Sequence, residues 1–402
     1  MLNIIRAGGL CLGLAAAPAL AEAPSITLGV LTDFSGPYMA LAGEGSVLAT
    51  KMAVEDCLKA ECKGMAIKVI QADHQNKADL ATSIAKRWID EEHVDAFVDI
   101  TNASVQLAMQ PLVRERNRVA LFPGGTARLS NEDCSPQNSV QWLWETYSQV
   151  ATSVRPLAKP GTKWFFITVD YAFGQALQAD AVKIIEKQGG TVVGSVRHPL
   201  NTADFASYLV QAQASGADYI AFADAGKDVM NAMKQADEFG LRAKSTLVAL
   251  FMSLADVKGL GLPVAHGTVL TEAFYWNIDE GTRAWSKRFA ARYDGRMPTV
   301  SHGGDYSAVL HYLRAVAASG TNEAKAVVAK MHELPIHDEI VRNASLREDG
   351  RMVHDTYLLK VKEPAQSVEA NDVYDVLRII PGVEAVRPLA ESACPALRRA
   401  AQ

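Results

Sequence analysis

Along the chain, short runs of β-branched and aliphatic residues alternate with longer stretches in which apolar positions recur every three or four residues. The short runs predict strands at 26–31, 66–72, 96–100 and 119–122, and the longer stretches predict helices at 43–55, 78–91 and 105–116. A second series follows, with strands at 164–169, 191–198, 219–223 and 245–250 and helices at 172–188, 205–214 and 228–239. Repeated strand-helix order marks parallel sheets covered by helices, so the fold class is α/β, with two doubly wound lobes. Beyond Thr268 the order changes to helices at 282–293, 305–318 and 324–334, then strands at 356–361 and 373–379. No Pro/Gly/Ser-rich linker divides the two series, so we expect the chain to cross between lobes more than once.

The first residues read as a secretory leader. Arg6 is its positive region, residues 10–17 its apolar core, and Ala19-Leu-Ala21 its small-residue cleavage site. The position before Cys11 lacks the small residues of a lipidation site. No later apolar run reaches the roughly 18 residues of a membrane span, so we expect a periplasmic protein that begins near Glu22. About 380 mature residues exceed one core and imply two domains. With Arg6 removed, 39 basic residues face 45 acidic ones, and no basic patch points to nucleic acid.

Four cysteines remain after the leader: Cys57, Cys62, Cys134 and Cys394. An even count in an exported chain implies two disulfides, with three connectivities open. Cys57 and Cys62 are neighbours that can close a small ring, provided the preceding helix ends near Asp56. That leaves Cys134 for Cys394. No histidine stands at ligand spacing beside them, so neither a metal nor a cofactor is expected.

Catalytic signals fail one by one. In His332-Glu-Leu-Pro-Ile-His337 the histidines are five apart and Pro335 breaks the helix a zinc motif needs. Gly43-Glu-Gly45 lacks the third glycine of a dinucleotide fingerprint, and neither a Walker A sequence nor a Gly-x-Ser-x-Gly elbow occurs. We therefore expect a binding protein, not an enzyme. Binding signals are better placed, because polar residues cluster where α/β sheets bind ligands, just past the carboxyl ends of strands. These are Thr101-Asn-Ala-Ser104, Pro123-Gly-Gly-Thr126, Asp170-Tyr-Ala-Phe-Gly174 and Asp224-Ala-Gly-Lys227. Tyr38, Tyr171 and Phe173 add aromatic walls. Tyr275 and Trp276 read as interface or core, and Asp305 as a helix cap.

Gly29-Val-Leu-Thr-Asp-Phe-Ser-Gly-Pro-Tyr38, Lys51-Met-Ala-Val-Glu-Asp56, Asp170-Tyr-Ala-Phe-Gly174, Phe274-Tyr-Trp276, Glu348-Asp-Gly-Arg351 and Ser392-Ala-Cys-Pro395 carry a resemblance over nearly the whole mature chain. The chain resembles a periplasmic substrate-binding protein of the branched-chain amino-acid ABC transporter type, with a type I periplasmic binding fold. The resemblance implies two Rossmann-like lobes joined by three crossovers: 22–145 with 275–352, and 146–274 with 353–402. It implies a ligand carboxylate held by Asn102, Ala103, Ser104, Gly125 and Thr126 in the first lobe. Phe173 and Asp224 would contact the ligand from the second.

One departure stands out. Binders of α-amino acids carry an acidic residue after the following strand, whereas this chain has Ala249-Leu-Phe-Met-Ser253. Unless Asp224 replaces it, the ligand lacks an ammonium group, as 2-oxo and aromatic acids do. The expected partners are a small carboxylate and an ABC permease, with the protein monomeric. A sensory protein that presents its ligand to a membrane receptor fits the same features.

Overall fold

The computed structural model describes residues 24–400; the leader reading, with Arg6 and Cys11, lies outside them. The first unit runs β1 (Ser25–Thr32), α1 (Gly43–Lys59), β2 (Ala66–Asp73), α2 (Ala78–Glu91), β3 (Ala96–Asp99), α3 (Ala103–Glu115), β4 (Val119–Phe122) and β5 (Ser139–Gln141). A second unit follows: α4 (Thr146–Val154), β6 (Lys163–Val169), α5 (Ala172–Lys187), β7 (Thr191–His198), α6 (Ala206–Ala214), β8 (Tyr219–Ala223), α7 (Gly226–Glu238) and β9 (Thr246–Ala249). The remainder comprises α8 (Leu254–Leu260), α9 (Leu262–Ala265), β10 (Val269–Glu272), α10 (Glu280–Ala290), α11 (Val300–Ser319) and α12 (Ala324–Glu333). The short pair β11 (Ser345–Leu346) and β12 (Met352–Val353) leads to β13 (Thr356–Val361) and β14 (Tyr374–Ile380).

Two parallel sheets result, in the orders β2-β1-β3-β4-β5 and β7-β6-β8-β9. In each, the chain adds its second strand on one side of the first and its third on the other, creating a switch point at β1/β3 and at β6/β8. Central strands are buried on both faces and read as continuous apolar runs, while the edge strands β2 and β7 alternate.

The first sheet has five strands where the sequence pattern predicts four. β5 is three residues long, too short to carry a periodicity, and it is identified only by its register on β4. β10 was likewise not expected; it pairs antiparallel with β13, which pairs with β14. Helix α11 starts at Val300, five residues before the expected 305, because Thr299 caps it with a reciprocal bond to His302. Asp305 is therefore an interior helical residue and not a cap. Tyr275 and Trp276 are buried.

Both disulfides are present, Cys57 to Cys62 and Cys134 to Cys394, with Cα separations of 5.0 and 5.4 Å. The expected end of α1 near Asp56 is wrong: the helix continues to Lys59 and then turns, with the Cys62 N–H donating to the Cys57 carbonyl. That turn, and not an early helix end, brings the cysteines within bridging distance.

The first unit is completed by chain that returns to it from beyond the second. Helix α11 packs on α1, where Thr299 Oγ1 donates to the Leu41 carbonyl and His302 Nε2 lies 2.9 Å from the Ala42 carbonyl. Behind the cleft, the buried guanidinium of Arg351 donates to the carbonyls of Gln141, Trp142, Leu143 and Met352. His354 Nε2 reaches the Leu143 carbonyl as well. Three of these carbonyls, those of Gln141, Trp142 and Leu143, belong to the segment that leaves the first sheet, so one side chain satisfies acceptors at the end of that sheet. Burial lowers the Arg351 pKa to about 10, still far above neutrality, so the group remains charged. Replacing Arg351 by methionine strands those carbonyls and is expected to cost about 2–4 kcal/mol. Urea denaturation measures this, and an unchanged midpoint would refute the clamp.

Candidate ligand-binding site

The two switch points face one another across a narrow cleft of about 370 Å³, a volume that includes its mouth to solvent. Its first wall starts at β1. The buried carboxylate of Asp33 accepts from the backbone N–H groups of Ser35, Gly36 and Tyr38 and from Asn76 Nδ2. This folds the loop after β1 and aims Tyr38. Asn102 Nδ2 in turn donates to Asn76 Oδ1, while Asn102 Oδ1 caps α3 by accepting from the Ser104 and Val105 N–H groups. Asp33, Asn76 and Asn102 thus link the ends of β1, β2 and β3. Between them, Asp99 and Ile100 adopt φ of 71° and 59°, a left-handed pair that non-glycine residues rarely hold outside constrained sites.

Next comes the loop after β4. A Cβ on Gly124 would lie 2.0 Å from the Trp144 ring, and one on Gly125 would lie 2.0 Å from Gln106 Oε1. The paired glycines therefore admit Trp144 and Gln106 to the cleft. The second lobe supplies Tyr171 and Phe173 after β6, Ala225 after β8 and Phe251 after β9. Trp144 lies 4.5 Å from Phe251 and 6.1 Å from Phe173, centroid to centroid, so aromatic packing crosses between the halves. The Tyr38 and Tyr171 hydroxyls meet at 2.6 Å. Burial raises the pKa of both, so both keep their protons. One O–H is used in their mutual bond, and the other is left for a ligand.

Six of the nine expected ligand residues line the cleft: Tyr38, Asn102, Ala103, Gly125, Tyr171 and Phe173. Ser104, Thr126 and Asp224 do not. The Ser104 N–H is occupied by Asn102 Oδ1, and Thr126 is buried, accepting from the Arg128 N–H. Asp224 is buried against His198, with Oδ2 and Nε2 2.9 Å apart. His198 Nδ1 faces the Pro199 carbonyl at 2.9 Å and must carry a hydrogen there, so the Asp224–His198 contact holds one shared proton. Burial works against a charged His198, but the Asp224 carboxylate outweighs it and the His198 pKa is raised.

Sequence reasoning missed Trp144, Gln106, Phe251 and Ser301 on the lining. Phe251 follows a strand end and obeys the rule used for the others. Gln106 lies one turn after Asn102 on the same helix face. Trp144 follows the unpredicted β5, and Ser301 belongs to α11 beyond both series, so neither left a local signal.

Next to the lining residue Thr101 lies a pair of buried acids, Asp99 and Asp305. Neither carboxylate oxygen of Asp305 has a partner, and Asp99 keeps one oxygen unpaired while accepting from Thr101 Oγ1. Burial, then the charge of Asp99, raises the Asp305 pKa; burial pushes Asp99 up to about 7. The His332 and His337 rings each face a backbone carbonyl, and no metal-binding cluster occurs among the described residues.

Two α/β lobes thus bring their strand ends to one small pocket. The family described as periplasmic binding protein matches residues 25–367, and the chain belongs to that family. A periplasmic binding protein from Burkholderia mallei is 40% identical, with a TM-score of 0.89 over 92% of this chain and 98% of its own. A branched chain amino acid ABC transporter periplasmic ligand-binding protein from Burkholderia xenovorans LB400 is also 40% identical, with a TM-score of 0.81 over 92% and 99%. A solute-binding protein of an ABC transporter from R. palustris, solved in complex with benzoate, shares the fold at 19% identity, with a TM-score of 0.80 over 92% and 100%. No curated protein matches the chain.

Raised carboxylate pKa values favour the folded state below the ordinary Asp range, and this contribution is lost as pH rises through about 7. Asp305→Asn removes one member of the pair. Its stability is expected to fall about 1–2 kcal/mol less than that of the unmodified protein between pH 5 and pH 8. Parallel melting profiles over that range would refute the account of two protonated buried acids.

Proposed function

We propose that the chain is the extracytoplasmic solute-binding component of an ABC importer. It captures a small carboxylate-bearing ligand, an amino acid, 2-oxo acid or aromatic acid, and the lobes close over it by a hinge. The observation that carries this reading is the pocket walled by Tyr38, Asn102 and Ala103 on one side and Tyr171 and Phe173 on the other, bridged by the Tyr38–Tyr171 contact. A ligand drives closure only through its greater affinity for the closed arrangement. The second-lobe aromatics and the tyrosine bridge supply that difference. Helices α5 and α7 begin at the cleft without side-chain caps, so their N-termini add favourable potential for an anion.

Ser104, Thr126 and Asp224 act from behind the wall: Ser104 through the α3 cap, Thr126 through its short turn, and Asp224 through His198. In this reading lobe 1 comprises 22–145 with 275–352 and lobe 2 comprises 146–274 with 353–402. The leader directs the protein to the periplasm, where the monomer delivers its ligand to a permease. The benzoate held by the R. palustris protein agrees with the aromatic lining here.

Tyr171→Phe breaks the bridge while keeping the ring, and it is expected to weaken binding of a captured carboxylate about 5- to 10-fold. Phe173→Ala should cost more. Calorimetry on acids that raise the melting temperature measures both effects, and small-angle scattering reads the compaction on binding. An unchanged radius of gyration with saturating ligand, together with unchanged affinity in Tyr171→Phe, would rule out hinge closure on this bridge.

A further inference from the structure

Three buried polar atoms on the cleft lining have no hydrogen-bond partner: Gln106 Oε1, Trp144 Nε1 and Ser301 Oγ. Their residues are 2%, 5% and 1% exposed. Buried polar groups are ordinarily satisfied, so each calls for a partner from outside the chain. The demands differ in kind. Gln106 Nε2 donates to the Gly124 carbonyl at 2.7 Å, which fixes the amide and leaves Oε1, a pure acceptor, unpartnered beside Gly125 of the lining. Trp144 Nε1 is a pure donor, and the unused proton of the Tyr38–Tyr171 pair is a second. Ser301 can serve either way.

The lining carries no carboxylate, lysine or arginine, and Asp224, the one acid expected there, is sequestered by His198. The donors suit a carboxylate, and the lone acceptor suits an O–H. An ammonium would also donate to Gln106, but it would be buried with no counter-charge, near the positive ends of α3, α5 and α7. The rings of Trp144, Phe173 and Phe251, with Phe173 edge-on to the other two, give the pocket an aromatic wall that suits an aromatic ring.

We propose that the cleft selects an aromatic carboxylate without an ammonium group that bears a ring hydroxyl, with Gln106 Oε1 reading the hydroxyl and Trp144 Nε1 reading the carboxylate. This rests on the cleft being the ligand site of the proposed binding protein. A pocket built to accept a hydroxyl discriminates strongly against the analogue lacking it, because its acceptor is then left unpaired.

Calorimetry of the mature protein with benzoate, 3- and 4-hydroxybenzoate and phenylalanine tests this. At least one hydroxybenzoate should bind about 10-fold or more tightly than benzoate, with phenylalanine weakest. Gln106→Met keeps the side-chain length and removes the acceptor. It should bring that ratio to within about 2-fold by weakening the hydroxy acid alone, while Trp144→Phe weakens all the acids. Melting curves of both variants establish that they fold. Equal affinity for benzoate and its hydroxy forms, an unaltered ratio in Gln106→Met, or preference for phenylalanine overturns the proposal and leaves the cleft as the site. Affinities unaffected by Phe173→Ala would overturn the cleft assignment itself.

Discussion

The Asp33 carboxylate is the contact on which the binding face of the first lobe depends. It stands where β1 ends, buried, and takes hydrogen bonds from three backbone N–H groups and from Asn76. A loop of this kind has no ladder to satisfy its backbone, so one charged acceptor does the work of a missing strand. Through Asn76 the same hydrogen-bond chain reaches Asn102 and the start of α3. The position of Tyr38 and the cap of α3 are therefore not independent, and Tyr38 then meets Tyr171 of the second lobe.

Charge is placed elsewhere with a similar division of labour. Arg351 satisfies the carbonyls of the crossover segment, and Asp180 holds Arg387 at 2.9 Å near the tail that Cys394 fastens to Cys134. Next to Thr101, Asp99 and Asp305 carry no cationic partner and hold protons instead, since two buried carboxylates cannot both ionise cheaply. Behind the opposite wall, Asp224 and His198 share one proton. The cleft itself is left without a charged side chain, and its polarity comes from hydroxyls, amides, the indole N–H and helix ends.

Much of the fold was legible in one dimension because strand–helix alternation is a local property. β4 matches its expected bounds, and the long amphipathic helices were found to within a few residues. The misses have a common cause. β5 and β10 are short segments completed by neighbours remote in sequence, and α11 begins where Thr299 and His302 cap each other on the surface of α1. Spacing favoured Cys57 with Cys62 but left the connectivity open, and the pairing and the turn at Ala60–Gly64 came from the structure.

The residues at strand ends were determined by the sequence alone, because every strand of a doubly wound sheet delivers its following loop to the same edge. Tyr38, Asn102, Ala103, Gly125, Tyr171 and Phe173 all reach the cleft for that reason. Only the tertiary structure decided which of the polar candidates would face a ligand. Ser104, Thr126 and Asp224 are drawn into caps and a shared proton, because a buried group is claimed by the nearest partner that satisfies it. Trp144, Gln106 and Ser301 reach the same cavity from a crossover, a helix flank and a returning helix. Their unpartnered atoms, more than any motif, define what the pocket still lacks.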